Sequence, residues 1–200
     1  MQVKKLTADG FKLSKNPYLP SKTLVLDITR GQEVVFNNFK NDARGYIRKN
    51  DKLQFRYHSE KSMSDFRQVW KKAVGFKRHV PSLKNLISLH KTFGKNSLFI
   101  TTKQMDAGAI FLIGDETGYY WQAFTNSGGR LSKSQYNIVW EGILWSKKTG
   151  ATSFDLEGVY DERFPNKSWL GFTHFKKSFG GKSIFYPGAY TKNKIPLNIF

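Results

Sequence analysis

The stretch of sequence that decides the fold runs from residue 154 to residue 188 and reads FDLEGVYDERFPNKSWLGFTHFKKSFGGKSIFYPG. Together with the two residues before it, this stretch predicts three elements in order: a strand over residues 152–156, a short helix over about 171–179 and a strand over residues 183–186. Three phenylalanines recur at helical spacing: Phe172, Phe175 and Phe179. This spacing predicts that their rings pack in the core rather than stack on a ligand. The pair Gly180-Gly181 ends that helix.

Upstream of this stretch, short apolar runs alternate with amphipathic segments. The predicted elements are a strand over 23–28, a helix opened by a Thr29–Gln32 capping box, a helix over 42–49, a strand over 53–58, helices after Ser62 and Pro81, strands over 97–101, 107–113 and 119–125, and a helix over 131–148. This order predicts an α+β (α/β) domain with a mixed central sheet flanked by helices. Residues 1–22 are interpreted as an N-terminal tail or linker, and residues 23–200 as one domain.

Composition excludes several classes of site. The chain has no cysteine, so it has no disulfide, thiolate nucleophile or Cys-ligated metal, and its four histidines show no metal-ligand spacing. No run of about 18 apolar residues predicts a membrane span, and the polar residues after Met1 argue against a signal peptide. The sequence therefore predicts a cytoplasmic domain without a metal.

The C-terminal motifs resemble the closing block of the Fem-type aminoacyltransferases, enzymes that build peptidoglycan cross-bridges and have a GNAT (acetyltransferase-like) fold. The resemblance rests on an ordered set: a strand ending FDxxG at Gly158, a helix reading FKxxFGG from Phe175, and a strand followed by Tyr186-Pro187-Gly188. The basic helix Arg44-Gly45-Tyr46-Ile47-Arg48-Lys49 is similar to another family segment. The likeness covers roughly residues 23–190 and implies a single GNAT-like lobe, matching the C-terminal one of the two lobes in complete members.

The resemblance implies a catalytic role for Lys176, with Phe175 beside it. In the family, this lysine is implicated in stabilising the charge that develops during transfer and in seating the end of the donor. The pattern also has a purely structural interpretation, in which Lys176 and Lys177 are solvated lysines near a helix C-terminus, where the helix dipole favours cations.

Two carboxylates on the FDxxG strand are further candidates. Asp155 and Glu157 alternate along the strand and are expected on the same face, where they would lie beside the reacting amine. Asp155 is assigned as catalytic and Glu157 as substrate-binding; the alternative for Asp155 is a hydrogen bond to backbone at the strand end. Tyr120, on the last strand of the three-stranded meander, joins the substrate-binding set.

Charge is concentrated in the first half of the chain. Residues 1–100 contain 21 basic and 7 acidic residues, and residues 101–200 contain 12 and 8, within a net charge of +18. Such an excess is typical of phosphate-binding surfaces. The residues assigned to phosphate-rich substrates are Arg44, Arg48, Lys49 and Arg78. The segment 126–130, NSGGR, lies where GNAT enzymes hold the coenzyme A pyrophosphate, but a simple glycine-rich turn is the favoured interpretation.

These observations predict an aminoacyltransferase. It would move an amino acid from aminoacyl-tRNA onto an amine of a nucleotide- or lipid-linked cell-wall precursor. Aminoacyl-tRNA would be a co-substrate, and no resident cofactor is expected. Two alternatives stay open: a non-catalytic RNA-binding module on a GNAT-like scaffold, and an acyl-CoA-dependent N-acetyltransferase. Because only one lobe is present, a second chain or a homodimer is expected to complete the acceptor cleft.

Overall fold

The structure is a computed structural model that describes residues 2–14, 20–76 and 78–192. The helices are α1 (Gln2–Ala8), α2 (Gln32–Asn37), α3 (Asn41–Lys49), α4 (Met63–Val74), α5 (Leu83–Phe93), α6 (Ser127–Ser132), α7 (Gln135–Lys148) and α8 (Leu170–Lys177). The strands are β1 (Lys12–Leu13), β2 (Lys22–Asp27), β3 (Phe55–Tyr57), β4 (Ser97–Thr102), β5 (Ala107–Gly114), β6 (Thr117–Thr125), β7 (Ser153–Gly158), β8 (Lys182–Phe185) and β9 (Tyr190–Thr191).

Seven strands form the main sheet, in the order β3-β4-β5-β6-β7-β2-β8. All neighbours are antiparallel except β6 and β7, which are parallel. The β5–β6 hairpin turns at Asp115 and Glu116, which both have positive φ (47° and 57°) and so match the twist of the strands they join. The mixed sheet flanked by helices confirms the predicted fold class.

Helices cover both faces of the sheet because its central strands are apolar on both sides. Leu98 and Ile100 of β4 pack in one cluster with residues of α2, α3 and α7. Phe99, between them in sequence, packs on the opposite face with Phe66 of α4 and Leu86 of α5. Strands buried on both faces have no polar alternation, which is why the sequence shows them as continuous apolar runs.

The N-terminal segment has structure that the sequence analysis did not predict. It contains α1 and β1, and β1 pairs antiparallel with β9 at the other end of the described chain. The Lys192 ammonium also donates to the Asp9 carbonyl at 2.7 Å. A local pattern cannot reveal a two-residue strand whose partner is so distant. Residues 15–19 lie outside the described residues, and the division at residue 22 stays a prediction.

Two predicted helix boundaries were wrong. The capping box at Thr29 does not form, because the Thr29 hydroxyl donates to the Asp27 carboxylate and α2 begins at Gln32 after Gly31. The single helix predicted over 131–148 is two helices, α6 and α7. They are separated at Lys133, whose positive φ of 60° ends α6.

Candidate active site

The candidate site lies where the two parallel strands separate. Pairing between β6 and β7 extends only as far as Tyr119 and Asp155, although both strands continue beyond that point. In a mixed or parallel sheet, a crevice at the carboxyl ends of diverging strands is a common ligand position. Helix α8 lies at this opening, and its Lys176 ammonium donates to the Gly158 carbonyl at the end of β7, at 2.8 Å.

The end of β7 is irregular. Residues Thr23 and Val25 of β2 face Gly158 and Asp155, so β7 has one more residue than β2 in this interval and forms a bulge. Within the bulge, Glu157 has a φ of +63°, a conformation that is strained for a residue with a side chain. The Glu157 N–H donates to Asp155 Oδ1 at 2.7 Å. Asp155 therefore does bond backbone at the strand end, as its structural interpretation proposed.

Lys176 lies half-buried between rings and carboxylates. Its Nζ is 5.2 Å from the centre of the Phe172 ring and 5.8 Å from the centre of the Tyr120 ring. Burial lowers the pKa of Lys176 to about 8, although the carboxylates of Glu157 and Asp155 favour the charged form. The side chain is therefore an amine that titrates close to neutral pH.

The two carboxylates are shifted in the opposite direction. Burial raises the pKa of Asp155, against the opposing hydrogen bond from the Glu157 N–H and the Lys176 charge. Burial also raises the pKa of Glu157, and the nearby Asp155 charge adds to the effect, while Lys176 opposes it. Burial therefore lowers the pKa of the lysine and raises those of the two carboxylates, so the three values move toward one another.

A cavity of about 850 Å³ adjoins this cluster. Tyr120 and Phe172, the two rings beside Lys176, line it together with Phe175. The buried Tyr120 hydroxyl accepts a hydrogen bond from Gln135 Nε2 at 2.7 Å. The described lining includes no Asp or Glu, and its cationic or imidazole side chains are Lys72, Arg78, Arg130, Lys133 and His174. The cavity is therefore suited to an anionic or phosphate-bearing ligand.

Two guanidinium groups at the cavity are fixed by strand β6. Arg78 Nη1 donates to the Ala123 carbonyl at 3.0 Å, and Arg130 Nη1 donates to the Thr125 carbonyl at 2.9 Å. Each of these arginines keeps further N–H donors. Arg78 follows α4 and Arg130 lies in α6, and both bond to the same end of β6, so residues far apart in sequence meet at one cavity.

The structure brings six of the predicted site residues to this region and leaves three elsewhere. Lys176, Asp155 and Glu157 form the cluster, while Phe175, Tyr120 and Arg78 line the cavity. The other three basic residues lie on α3 and do not line the cavity: Arg44, Arg48 and Lys49.

Local contacts explain the placement of the α3 residues. Arg44 Nη1 donates to the Asn37 carbonyl at 3.0 Å, and the Arg48 guanidinium lies 5.3 Å from the centre of the Phe36 ring. Arg48 lines a different hollow, of about 440 Å³, between α2, α3 and α7. Net charge in the sequence indicated phosphate binding but could not tell which basic residues share a surface.

The phenylalanines within and just after α8 differ in burial. The Phe175 ring packs on Tyr136 with centroids 4.7 Å apart, as the core interpretation predicted, and it also lines the cavity. Phe179 is fully buried, whereas Phe172 is 38% exposed, so its predicted core position was wrong.

The glycine-rich segment 126–130 forms the N-terminus of α6, and its second glycine has a packing role. A Cβ on Gly129 would lie 2.5 Å from the Asp106 carbonyl oxygen, so only glycine allows this approach. The Asn126 side chain accepts from the Gly129 N–H at 3.1 Å and caps α6. The segment is therefore the capped first turn of helix α6 rather than the simple glycine-rich turn that the sequence predicted. Four residues that line the cavity were not assigned to the site from the sequence: Lys72, Lys133, Gln135 and His174. Each is a basic or polar residue near a helix end, and this is the only feature of the sequence that could have indicated them.

Comparison with solved structures identifies the fold. FemX superposes with a TM-score of 0.77 over 94% of this chain and 67% of the FemX chain, at 13% identity. The chain has the FemX fold. The GNAT-like Fem-type resemblance predicted from the C-terminal motifs is thus confirmed at the level of the fold.

Two other groups of structures share the fold more loosely. L-PGS from Bacillus licheniformis gives a TM-score of 0.59 over 94% of this chain at 11% identity. The C-terminal domain of a lysylphosphatidylglycerol synthetase from Agrobacterium fabrum gives 0.57 over 90% of this chain, also at 11% identity. This chain spans 63% and 61% of those two chains. A GCN5-related N-acetyltransferase from Sphaerobacter thermophilus gives 0.50 at 7% identity, over 86% of this chain and 51% of that one.

Comparisons based on sequence find nothing further: no protein-family model matches, and no curated protein matches. Within the described residues, no helix has the length and apolar character needed to cross a bilayer. The same residues contain no group of three or more His, Asp or Glu side chains placed to hold a metal ion.

Proposed function

We propose that this protein is a cytoplasmic aminoacyltransferase that moves an aminoacyl group from aminoacyl-tRNA to an amine of a peptidoglycan precursor peptide. The observation that carries the proposal is the position of Lys176. It is a half-buried amine beside two carboxylates, at the edge of a cavity whose ionisable lining is basic. The FemX fold supports this assignment, because the lysine belongs to the FKxxFGG motif through which the sequence resembles Fem-type enzymes.

Direct transfer needs an oriented, deprotonated amine and stabilisation of the oxyanion. The acceptor nitrogen attacks the ester carbonyl, the carbon–nitrogen bond forms, and the carbonyl oxygen becomes negatively charged. The Lys176 ammonium is the cation proposed to stabilise that oxygen. The carbon–oxygen bond to the terminal ribose then breaks, and the departing hydroxyl oxygen takes up the proton that the amine releases.

The carboxylates have a separate part in this proposal. Asp155 and Glu157 lie close enough to Lys176 to raise its pKa against the effect of burial, so they help to keep most of it charged at neutral pH. Their own raised pKa values suit transient acceptance of the amine proton. We assign Asp155 and Glu157 to this proton transfer.

The cavity supplies the donor site in this proposal. Arg78 and Arg130 are held on β6 and are positioned to bind phosphates, and Tyr120 and Phe175 form apolar surface beside Lys176. Phosphates occur in aminoacyl-tRNA and in acyl-CoA alike. The Gly129 N–H is already donated to the Asn126 side chain, which favours the tRNA donor over a coenzyme A pyrophosphate bound by the N–H groups of this helix end.

The test is a transfer assay with a charged tRNA pool and a precursor pentapeptide, run beside an acyl-CoA arm. Lys176→Met should lower the transfer rate roughly a hundredfold, the order found on loss of one oxyanion donor. Lys177→Met is the matched control, since Lys177 is exposed on the same helix and should keep the full rate. Full transfer by Lys176→Met would remove this lysine from the mechanism.

Other outcomes separate the remaining possibilities. Transfer from acyl-CoA but not from aminoacyl-tRNA would replace the donor, and tRNA binding with no transfer would favour the RNA-binding module. A second chain or second copy that completes the acceptor cleft is part of the proposal. It predicts that specific activity rises with protein concentration or on addition of that chain.

A further inference from the structure

The two most exposed large apolar side chains of the described residues are Phe76 and Leu131. Phe76 is fully exposed and Leu131 is 87% exposed, whereas the other large apolar side chains are at most 57% exposed. Both flank the same cavity: Phe76 lies between the lining residues Gly75 and Arg78, and Leu131 follows Arg130 in sequence. We call this pair the apolar tips.

The tips are held on short, anchored segments. Gly75 ends α4 with a positive φ, and Arg78, two residues after Phe76, donates to β6 through both terminal nitrogens. Leu131 lies in α6, whose Arg130 donates to the Thr125 carbonyl at the same end of β6. Both tips are therefore attached to one strand end and lie at one side of the molecule.

Positive charge surrounds the tips. Lys72, Arg78, Arg130 and Lys133 line the cavity between them, and the described lining has no carboxylate. An apolar side chain in water gains about 1.5–3 kcal/mol when it is fully buried. Apolar tips with basic flanks are the chemistry of proteins that lie on an anionic bilayer, where the tips enter the acyl boundary and the cations meet the headgroups.

We propose that this face docks on an anionic lipid bilayer, with Phe76 and Leu131 as the inserted residues. An RNA partner explains the cations and could stack a base on Phe76, but it gives no role to Leu131, which has no ring. In this orientation the rim that carries the tips meets the headgroups, and the cavity itself stays open to the donor. Resting on the proposed function, docking brings a lipid-linked precursor, which already lies in the membrane, close to the site.

The experiment is co-sedimentation of the full chain with two kinds of vesicle: phosphatidylcholine alone, and phosphatidylcholine containing about a third phosphatidylglycerol. The wild type should bind the anionic vesicles and not the neutral ones. The double variant Phe76→Ser, Leu131→Ser should bind them at least about tenfold more weakly. The matched control replaces two apolar residues on other surfaces, Val34→Ser and Phe185→Ser, and should bind as the wild type does.

Several results would overturn the proposal. One is wild-type binding that is absent or equal on both vesicle types, and another is equal loss of binding in the tip and control variants. A third is a tip variant that keeps vesicle binding but loses tRNA affinity, measured by fluorescence anisotropy; this would assign the tips to RNA. Circular dichroism shows whether each variant keeps its fold. Transfer to a soluble pentapeptide is measured in parallel, so failure of docking and failure of the proposed reaction are distinguished.

Discussion

Replacing Lys176 with methionine should make the protein more stable near neutral pH. The pKa of this lysine falls from an ordinary 10.5 to about 8 because the side chain is buried. At about 1.4 kcal/mol per pKa unit, charging it in the folded state costs about 3 kcal/mol. The neutral thioether has no such cost, although it loses the 2.8 Å hydrogen bond to the Gly158 carbonyl, which is worth about 1 kcal/mol.

The expected net gain in the free energy of unfolding is about 1–2 kcal/mol near pH 7, because partial contact of Lys176 with solvent screens the burial cost. The gain should depend on pH in a defined direction. Below the folded-state pKa of about 8, both folded and unfolded states are protonated and the cost is complete. As the pH rises toward 10.5, the folded state loses its proton first, so the wild type regains stability and the gain of the variant disappears.

Urea denaturation followed by tryptophan fluorescence, repeated at several pH values, measures this difference. Lys177→Met provides the control for loss of a surface charge on the same helix. The reasoning is refuted if Lys176→Met is less stable than the wild type near pH 7 while Lys177→Met is unchanged. It is also refuted if the gain persists undiminished at about pH 10.5.

Three further predictions concern packing, acid stability and charge. Gly142→Ala places a Cβ 2.3 Å from the Phe111 ring and should lower the free energy of unfolding by about 1–3 kcal/mol, and with it the melting temperature. The control Gly45→Ala, whose Cβ meets nothing within 4 Å, should not lower it, and equal melting temperatures of the two variants would contradict the prediction. Hydrogen bonding to Arg163 lowers the pKa of Asp161 to about 2, so its contribution is present above about pH 4 and lost as the pH falls through about 2. Asp161→Asn should then flatten acid unfolding between those values, as circular dichroism would show, and an unchanged curve would exclude the pair. Affinity for tRNA should fall by about two to three decades between 50 and 200 mM salt if about five phosphates are bound; a flat titration by fluorescence anisotropy would rule out the RNA donor.

Apolar patterning predicted the sheet well because the central strands are buried on both faces. The segments Ser97–Thr102 and Ala107–Gly114 are apolar runs bounded by turn residues, and the structure places them as central neighbours. Helix α5 was also predicted, since Leu86 marks its buried face and Gly94 follows its last residue. Elements determined by local periodicity were therefore recovered with errors of a few residues.

The features that were missed depend on distant contacts. No alternation pattern reveals that β7 has an extra residue relative to β2, so the positive φ of Glu157 could not be predicted from the order of residues. The cavity combines α4, α6 and α8, and the sequence does not show that Arg78 and Arg130 bond the same strand. The lysine cluster was found for a different reason, since a motif resemblance identified Lys176 before its surroundings were known.

The arrangement at the end of β7 links local strain to chemistry in the proposed reaction. The bulge at Glu157 turns the backbone so that its N–H bonds Asp155 and the next carbonyl, that of Gly158, accepts from Lys176. The same crowding removes water, which lowers the pKa of the lysine and raises those of both carboxylates. A reaction that takes a proton from an incoming amine and returns it to a leaving hydroxyl is fastest when the participating groups have pKa values near the working pH. Burying one ammonium beside two carboxylates moves all three in that direction, so the destabilised end of this strand is where proton transfer costs least.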